Sequence, residues 1–194
     1  MKLYDISREI LGSPLYPGTQ KPRLTREKDM CAGDGYTLST LQLDLHTATH
    51  IDTPLHFVSG GADAAEVPLA PYIGACRVLT VRGCVTETDL RAQCQPLPKR
   101  LLLRGGYLSP CAAMYLAQSG VLLVGTDNLS VAAAENEAAV HTALLRAGVA
   151  VLESLALSGV AEGDYTLIAL PLKLAGAEAS PCRAVLVAEN ENKA

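Results

Sequence analysis

The sequence predicts an α/β domain with more strand than helix and with antiparallel as well as parallel pairing. Three observations predict it. Short β-rich runs recur along the whole chain, three segments carry helix signals, and no repeat, low-complexity block or linker divides the 194 residues. A chain of this length fits one domain, 1–194, and is long enough to bury roughly 70% of its unfolded surface. Hydrophobic residues make up 49% of it, with one Phe and no Trp, so the core must be built from Ala, Val, Leu and Ile.

The β-rich runs fall at 3–6, 36–45, 75–81, 101–104, 121–124, 149–152, 165–170 and 183–188. In the second, Leu41, Leu43 and Leu45 alternate with Thr40, Gln42, Asp44 and His46, so one face is apolar and His46 arrives on the polar one. Thr86 or Thr88 caps a first helix, which runs through Cys94 and stops at Pro96. Ser109-Pro110 and the Ala-rich stretch to Gly120 give N-cap, first-turn proline and glycine stop for a second. Asn136-Glu137 to Arg146, ending at Gly148, is the third. Gly60-Gly61, Gly105-Gly106 and Gly125 fit no phosphate-loop pattern and are expected in turns.

A net charge of −4 without a basic stripe argues against nucleic acid. Met1 to Asp5 lacks the apolar core of an export signal, and no apolar run approaches the ~20 residues that span a bilayer. A cytoplasmic protein that does not engage a membrane is expected. The six cysteines form no CxxC pair and are expected as reduced thiols.

The chain has four histidines, and they are not scattered. Three lie in one eleven-residue stretch, His46-Thr47-Ala48-Thr49-His50-Ile51-Asp52-Thr53-Pro54-Leu55-His56. Zinc donors stand about 2.0–2.1 Å from the ion, so their side chains must converge. A flat strand would separate positions 46 and 50 by about 13 Å at ~3.3 Å per residue. A helix would break at Thr53-Pro54. What remains is a strand that ends near His46 and curls through 47–51, with His50 and Asp52 projecting to the side of His46. Two imidazoles and a carboxylate with open positions suit a catalytic ion. His56, beyond the proline, is placed as a proton shuttle beside the metal. His141, on the third helix, is brought back towards Glu153 by the turn at Gly148. If Asp52 bridges two ions, this pair suits the second; otherwise His141 is a helix surface residue and Glu153 a strand-end charge.

The stretch resembles the H-x-G-T-H-x-D-x-P-x-H signature of the cyclase-type metal-dependent hydrolases, which include bacterial kynurenine formamidases (arylformamidases) and isatin hydrolases. Tyr4-Asp5-Ile6-Ser7, Tyr16-Pro17-Gly18, Gly125-Thr126-Asp127, the His141, Leu144-Leu145, Gly148, Glu153 block, Pro171-Leu172-Lys173 and Ser180-Pro181-Cys182-Arg183 look like further family segments. The resemblance implies a single domain of swivelling β/β/α type with a mixed, barrel-like sheet and a few flanking helices. It implies a homodimer or larger oligomer, a first metal on His46, His50 and Asp52, and a second on Asp52, His141 and Glu153. The ions would be two Zn²⁺ per chain, with Mn²⁺ suiting the same ligands, and His56 would be the general acid/base. The activity implied is hydrolysis of a small-molecule amide, of the arylformamidase type that converts N-formylkynurenine to kynurenine and formate. A cyclic amide, as in the isatin-type relatives, is the alternative substrate, and a metal-stabilised binding protein without turnover is the alternative class. Tyr16, Tyr36, Phe57 and Tyr107 are the aromatics available to an aryl substrate, with Tyr16 placed in the early active-site loop. Ala48 stands where the signature has Gly, and Thr19 where formamidase-like members have Asp. A methyl at position 48 is expected to narrow the loop or to alter its backbone.

Overall fold

Aliphatic runs alternating with short helices build the parallel centre of the sheet. The structure, a computed structural model, describes residues 1–188. Strand β1 is Lys2–Asp5, β2 is Arg23–Lys28, β3 is Leu38–Gln42 and β4 is His50–Asp52. Then come β5 (Ile73–Val85), α1 (Glu87–Gln93), β6 (Arg100–Leu108), α2 (Pro110–Gln118), β7 (Leu123–Thr126), α3 (Glu137–Arg146) and β8 (Ala150–Glu153). The chain finishes with β9 (Gly163–Ile168), β10 (Ala179–Pro181) and β11 (Val185–Ala188).

Nine strands form one sheet in the order β1-β11-β9-β5-β6-β7-β8-β4-β10. It curls into a half-barrel, which is the mixed, barrel-like core expected. Strands β5 to β8 pair in parallel, and α1, α2 and α3 supply the crossovers that parallel neighbours require. Caps fix where two of these helices start. Thr86 forms a capping box with Asp89, and Ser109 accepts from the Ala112 N–H ahead of Pro110. The central strands are buried on both faces. Leu101 and Leu103 pack with Leu90, Leu116 and Leu144 on the helix side, while Leu102 and Leu152 pack with Ile51, Leu155 and Leu186 on the other. No helix among the described residues is long and apolar enough to cross a membrane.

Three features depart from the sequence expectations. Strand β3 stops at Gln42 and joins the main sheet nowhere; it pairs with β2 in a separate hairpin, and Leu24, Leu38 and Leu41 are exposed there. Alternation fixes which residues share a face, but not which sheet that face belongs to. Strands β4 and β10, three residues each, are too short to show a period, and β10 tolerates Pro181 because it is an edge. Gly105, Gly106 and Gly125 lie within strands rather than turns.

For Gly125 the reason is close packing. A Cβ there would stand 2.7 Å from Leu102 Cδ2, 3.0 Å from the Leu152 carbonyl oxygen and 3.2 Å from Leu155 Cδ1. Gly125→Ala should therefore destabilise the fold by about 1–3 kcal/mol, the usual cost of overfilling a packed core. Urea unfolding should show a lower midpoint at unchanged slope. A midpoint equal to that of the parent would mean that the sheet yields without cost.

Candidate metal centre

The site is built on β4, which lies between β8 and β10 in antiparallel register. His50 stands opposite Glu153, Asp52 opposite Val151, and Ala179 opposite Asp52. Residues opposite one another share a face, as do residues two apart, so His50, Asp52 and Glu153 all point to one side. That side carries Val151 into the helix-facing core, where the buried face of α3 contributes His141.

His46 arrives from a turn capped by Asp44, whose Oδ1 accepts from the His46 N–H at 3.0 Å while its carbonyl accepts from Thr47 N. The chain then reverses through Ala48 at φ 58°. The backbone thus keeps the left-handed turn despite the methyl, at a cost of roughly 1–2 kcal/mol. In that conformation the Ala48 carbonyl accepts from His50 Nδ1 at 2.8 Å. A carbonyl only accepts, so Nδ1 carries the proton and Nε2 is left to face the carboxylates. The other non-glycine residue with positive φ among the described residues is Ser154, at 56°, directly after Glu153. Thr49 Oγ1 donates to the Ser154 carbonyl at 2.7 Å and accepts from Arg8 N at 2.9 Å, tying the two strained positions together.

The side chains converge on Asp52. Its Oδ1 lies 3.2 Å from His46 Nδ1 and 3.4 Å from His50 Nε2, and its Oδ2 lies 3.3 Å from His141 Nε2. Glu153 completes the ring, with Oε1 3.1 Å from His141 Nε2 and Oε2 3.5 Å from His50 Nε2. Val131 N holds Glu153 by donating to Oε1 at 2.7 Å, and His141 Nδ1 donates to the Glu137 carbonyl at 2.9 Å. The Asp52 side chain is 1% exposed, yet neither of its oxygens accepts a hydrogen bond, and His50 Nε2 is likewise unpartnered. A carboxylate buried without donors is costly unless a cation meets it. Two groups could hold one: His46, His50 and Asp52, and Asp52, His141 and Glu153. Imidazole and carboxylate donors around shared, orphaned oxygens fit a bound metal ion.

Electrostatics agree with that fit. Burial opposes a charge on His50, but Asp52 and then Glu153 outweigh it and raise its pKa to about 10. His141 is raised to about 10 by the same two carboxylates against the same burial. Burial also opposes the charge on Asp52, and the three imidazoles overcome it, holding the carboxyl well below its usual range. In the chain alone, protons thus occupy places that suit a cation.

The expected site residues other than Asp52 line one pocket, Tyr16, His46, His50, His56, His141 and Glu153, together with Thr19, while Asp52 is buried among the histidines behind it. His56 belongs to neither candidate ligand group. It ends a short 3-10 turn that Pro54 begins, and its ring lies 4.3 Å from that of His46 and 4.4 Å from that of Phe57. Of the four candidate aromatics, Tyr16 and Phe57 line the pocket; Tyr36 is exposed on the hairpin arm and Tyr107 lies along β6. Tyr16 donates to Glu137 Oε2 at 3.0 Å, and burial, then Glu137, raises its pKa. Thr19, in the place of the family's Asp, closes the turn over Pro17-Gly18 by donating from N and Oγ1 to the Tyr16 carbonyl. Sequence reasoning missed Asp44, Leu129 and Glu137. For Glu137 a signal existed, one helical turn before His141.

The sequence profile of the Cyclase family matches residues 4–133. The kynurenine formamidase of Polaromonas naphthalenivorans (strain CJ2) is 37% identical over 202 residues, an alignment that takes in 96% of this chain and 91% of that protein. The solved structure of a "predicted metal-dependent hydrolase" from Bacillus stearothermophilus superposes with a TM-score of 0.82 at 32% identity, covering 95% of this chain and 97% of that one. Isatin hydrolase A from Labrenzia aggregata shares the fold, with a TM-score of 0.82 at 19% identity over 97% of this chain and 94% of that one. With the histidine signature folded around one buried carboxylate, and with relatives matched nearly end to end, the chain belongs to the cyclase family.

Proposed function

We propose that this protein is a metal-dependent hydrolase of a carbon–nitrogen bond other than a peptide bond, of arylformamidase type, converting N-formylkynurenine to kynurenine and formate. The observation that carries the reading is Asp52, a buried carboxylate whose two oxygens face different imidazole sets and accept from none. The kynurenine formamidase relatives supply the substrate class. The isatin hydrolase likeness extends to the fold alone, and nothing in the pocket singles out a cyclic amide.

His46, His50 and Asp52 would hold one ion, and Asp52, His141 and Glu153 a second. Zn²⁺ suits this donor set, and Mn²⁺ suits it as well. A bound divalent ion polarises a carbonyl and lowers the pKa of water from 15.7 to roughly 7. The chain's own residues do the rest. Burial holds His56 below the ordinary imidazole pKa, so at neutral pH it is a free base. Its ring takes a proton from water as the carbon–oxygen bond forms, and returns that proton to nitrogen as the carbon–nitrogen bond breaks. A protein that only stored metal would have no use for this free imidazole. Tyr16 and Phe57 offer the aryl group apolar faces. Assembly as a homodimer or larger oligomer belongs to the same reading, supported by the exposed Leu24, Leu38 and Leu41 of the β2–β3 hairpin.

Chelation should abolish activity, and Zn²⁺ or Mn²⁺ should restore it. Metal analysis should find about two equivalents per chain, about one or fewer in His141→Ala, and the deepest loss in Asp52→Ala, whose carboxylate serves both groups. One well-occupied site indifferent to His141 and Glu153 would sink the binuclear assignment.

Loading metal-free protein at pH 7 should release about two protons, one from each raised imidazole, because ligands bind deprotonated. Calorimetry in buffers of different ionisation enthalpy counts them, and a count of zero would contradict the proton-occupied cluster. Both pKa values are raised, to about 10, so the imidazolium–carboxylate contribution to metal-free stability is complete below about pH 6.5 and is lost as pH rises through 10.

His56→Asn should keep its metal and slow amide turnover by about 10²–10⁴-fold. An activated ester, whose leaving group departs unaided, should lose only the attack-step part and so suffer less than the amide. Equal losses on both substrates would confine His56 to attack or positioning and remove it from leaving-group protonation, and full loss of metal would make it a ligand.

A further inference from the structure

An imidazole that gives one nitrogen to a cation generally gives its other N–H to an acceptor, which fixes the tautomer and the ring plane. Two of the three candidate ligand rings use a backbone carbonyl: His50 Nδ1 donates to Ala48 and His141 Nδ1 to Glu137, so each presents Nε2 inward. His46 is turned the other way. Its Nδ1 faces Asp52 Oδ1 at 3.2 Å, and its Nε2 points outward to Glu178 Oε1 at 3.5 Å, an ion-pair rather than a hydrogen-bond distance.

We infer that Glu178 is the outer partner of His46, fixing that ring as an Nδ1 ligand and tightening the first cation site. The inference rests on the metal-dependent reading above, and it concerns a residue that the histidine signature does not contain.

Placement supports it. Glu178 directly precedes β10, whose next residue, Ala179, pairs with Asp52. The Glu178 carbonyl accepts from both Thr53 N and Thr53 Oγ1 at 3.0 Å, so its backbone is clamped to the segment that carries Asp52. The carboxylate is 42% exposed and His46 19%, so the pair forms the outer rim of an otherwise closed cluster. Charge supports it as well. The second group holds two carboxylates, Asp52 and Glu153, while the first has Asp52 alone, which it shares. An anionic acceptor on Nε2–H makes Nδ1 a stronger donor than a carbonyl would, and so compensates the poorer site. Glu178 touches no reacting atom and acts through His46 as a positioning residue.

The test is metal binding, independent of turnover. In cadmium-loaded, isotope-labelled protein, cadmium–nitrogen NMR coupling should appear at Nδ1 of His46 but at Nε2 of His50 and His141. In competition with a chromophoric chelator, Glu178→Ala should weaken Zn²⁺ at the first site by about 10–100-fold and leave the second unchanged. Glu178→Gln should recover part of the loss, because its amide oxygen accepts the same N–H without the charge. Coupling at His46 Nε2, or equal Zn²⁺ affinity in wild type and Glu178→Ala, would overturn the inference and leave the metal-dependent reading intact. Joint weakening of both sites in both variants would make Glu178 merely structural and also overturn it. A wild type that binds neither ion would overturn both.

Discussion

The structure turns on one carboxylate that cannot be left where it is without a cation. Asp52 is buried, its oxygens accept from no donor, and removing an unpaired ion from water costs several kcal/mol even after relaxation. A short strand at a sheet edge could not bury it. Strand β4 is therefore flanked on both sides, by β8 carrying Glu153 and by β10, which covers the outer edge with three residues, the last of them a proline. Imidazoles then reach the carboxylate from a turn, from β4 itself and from α3, and the two oxygens divide between them.

Holding that convergence costs backbone strain, and the strain falls beside the candidate ligands. Ala48, two residues before His50, and Ser154, directly after Glu153, both adopt left-handed backbone. Each bears roughly 1–2 kcal/mol. Ser154 is held by its N–H donating to the Asn128 carbonyl and its own carbonyl accepting from Thr49 Oγ1, and the amino-terminal segment braces the neighbouring residues. Arg8 donates from its backbone to Thr49 Oγ1, from Nε to the Leu155 carbonyl and from a terminal nitrogen to the Asp127 carbonyl. Asp127 in turn accepts from Gly105 N, which joins β6 and the end of β7 to the same network. The Gly-Thr-Asp segment therefore acts as bracing beneath the site.

Much of this was legible in the residues, for particular reasons. Ser109-Pro110 and Thr86 announce helix starts because a cap is local chemistry, readable within four positions. The histidine stretch announces a site because a proline forbids the helix and strand spacing forbids flatness, which leaves a chain that curls through 47–51. The structure turns there, but the preceding strand stops at Gln42 and a new short strand, β4, begins at His50. What was not legible is what depends on partners distant in sequence. The leucines of β3 alternate as a sheet-facing strand would, but the sheet they face is a two-stranded arm. Gly125 looks like a turn glycine until Leu102 and Leu155, from other segments, are seen to fill its side-chain space. Glu178 is an unremarkable surface acid until the β4–β10 ladder places it beside His46. A methyl at Ala48 looks like an obstacle, yet the backbone it strains is the one that directs a carbonyl to His50 Nδ1.

The gradient of burial through the cluster says where chemistry can happen. His50, His141 and Glu153 form the buried floor of the pocket, each at 5% side-chain exposure or less. Exposure rises at His46, beside which the His56 ring lies tilted, and the pocket walls of Tyr16, Leu129 and Phe57 continue outward from there. A substrate must therefore approach along the His46–His56 face. There a half-buried imidazole, its pKa lowered by burial, stands next to the candidate ligands without belonging to either group. Pro54 makes that separation possible: it begins the turn that carries His56 away from the strand of Asp52 and back over the outer edge of the site. In the proposed assignment one chain segment would supply ligands on its buried side and an acid/base group on its open side, a division of labour set by burial as much as by residue type.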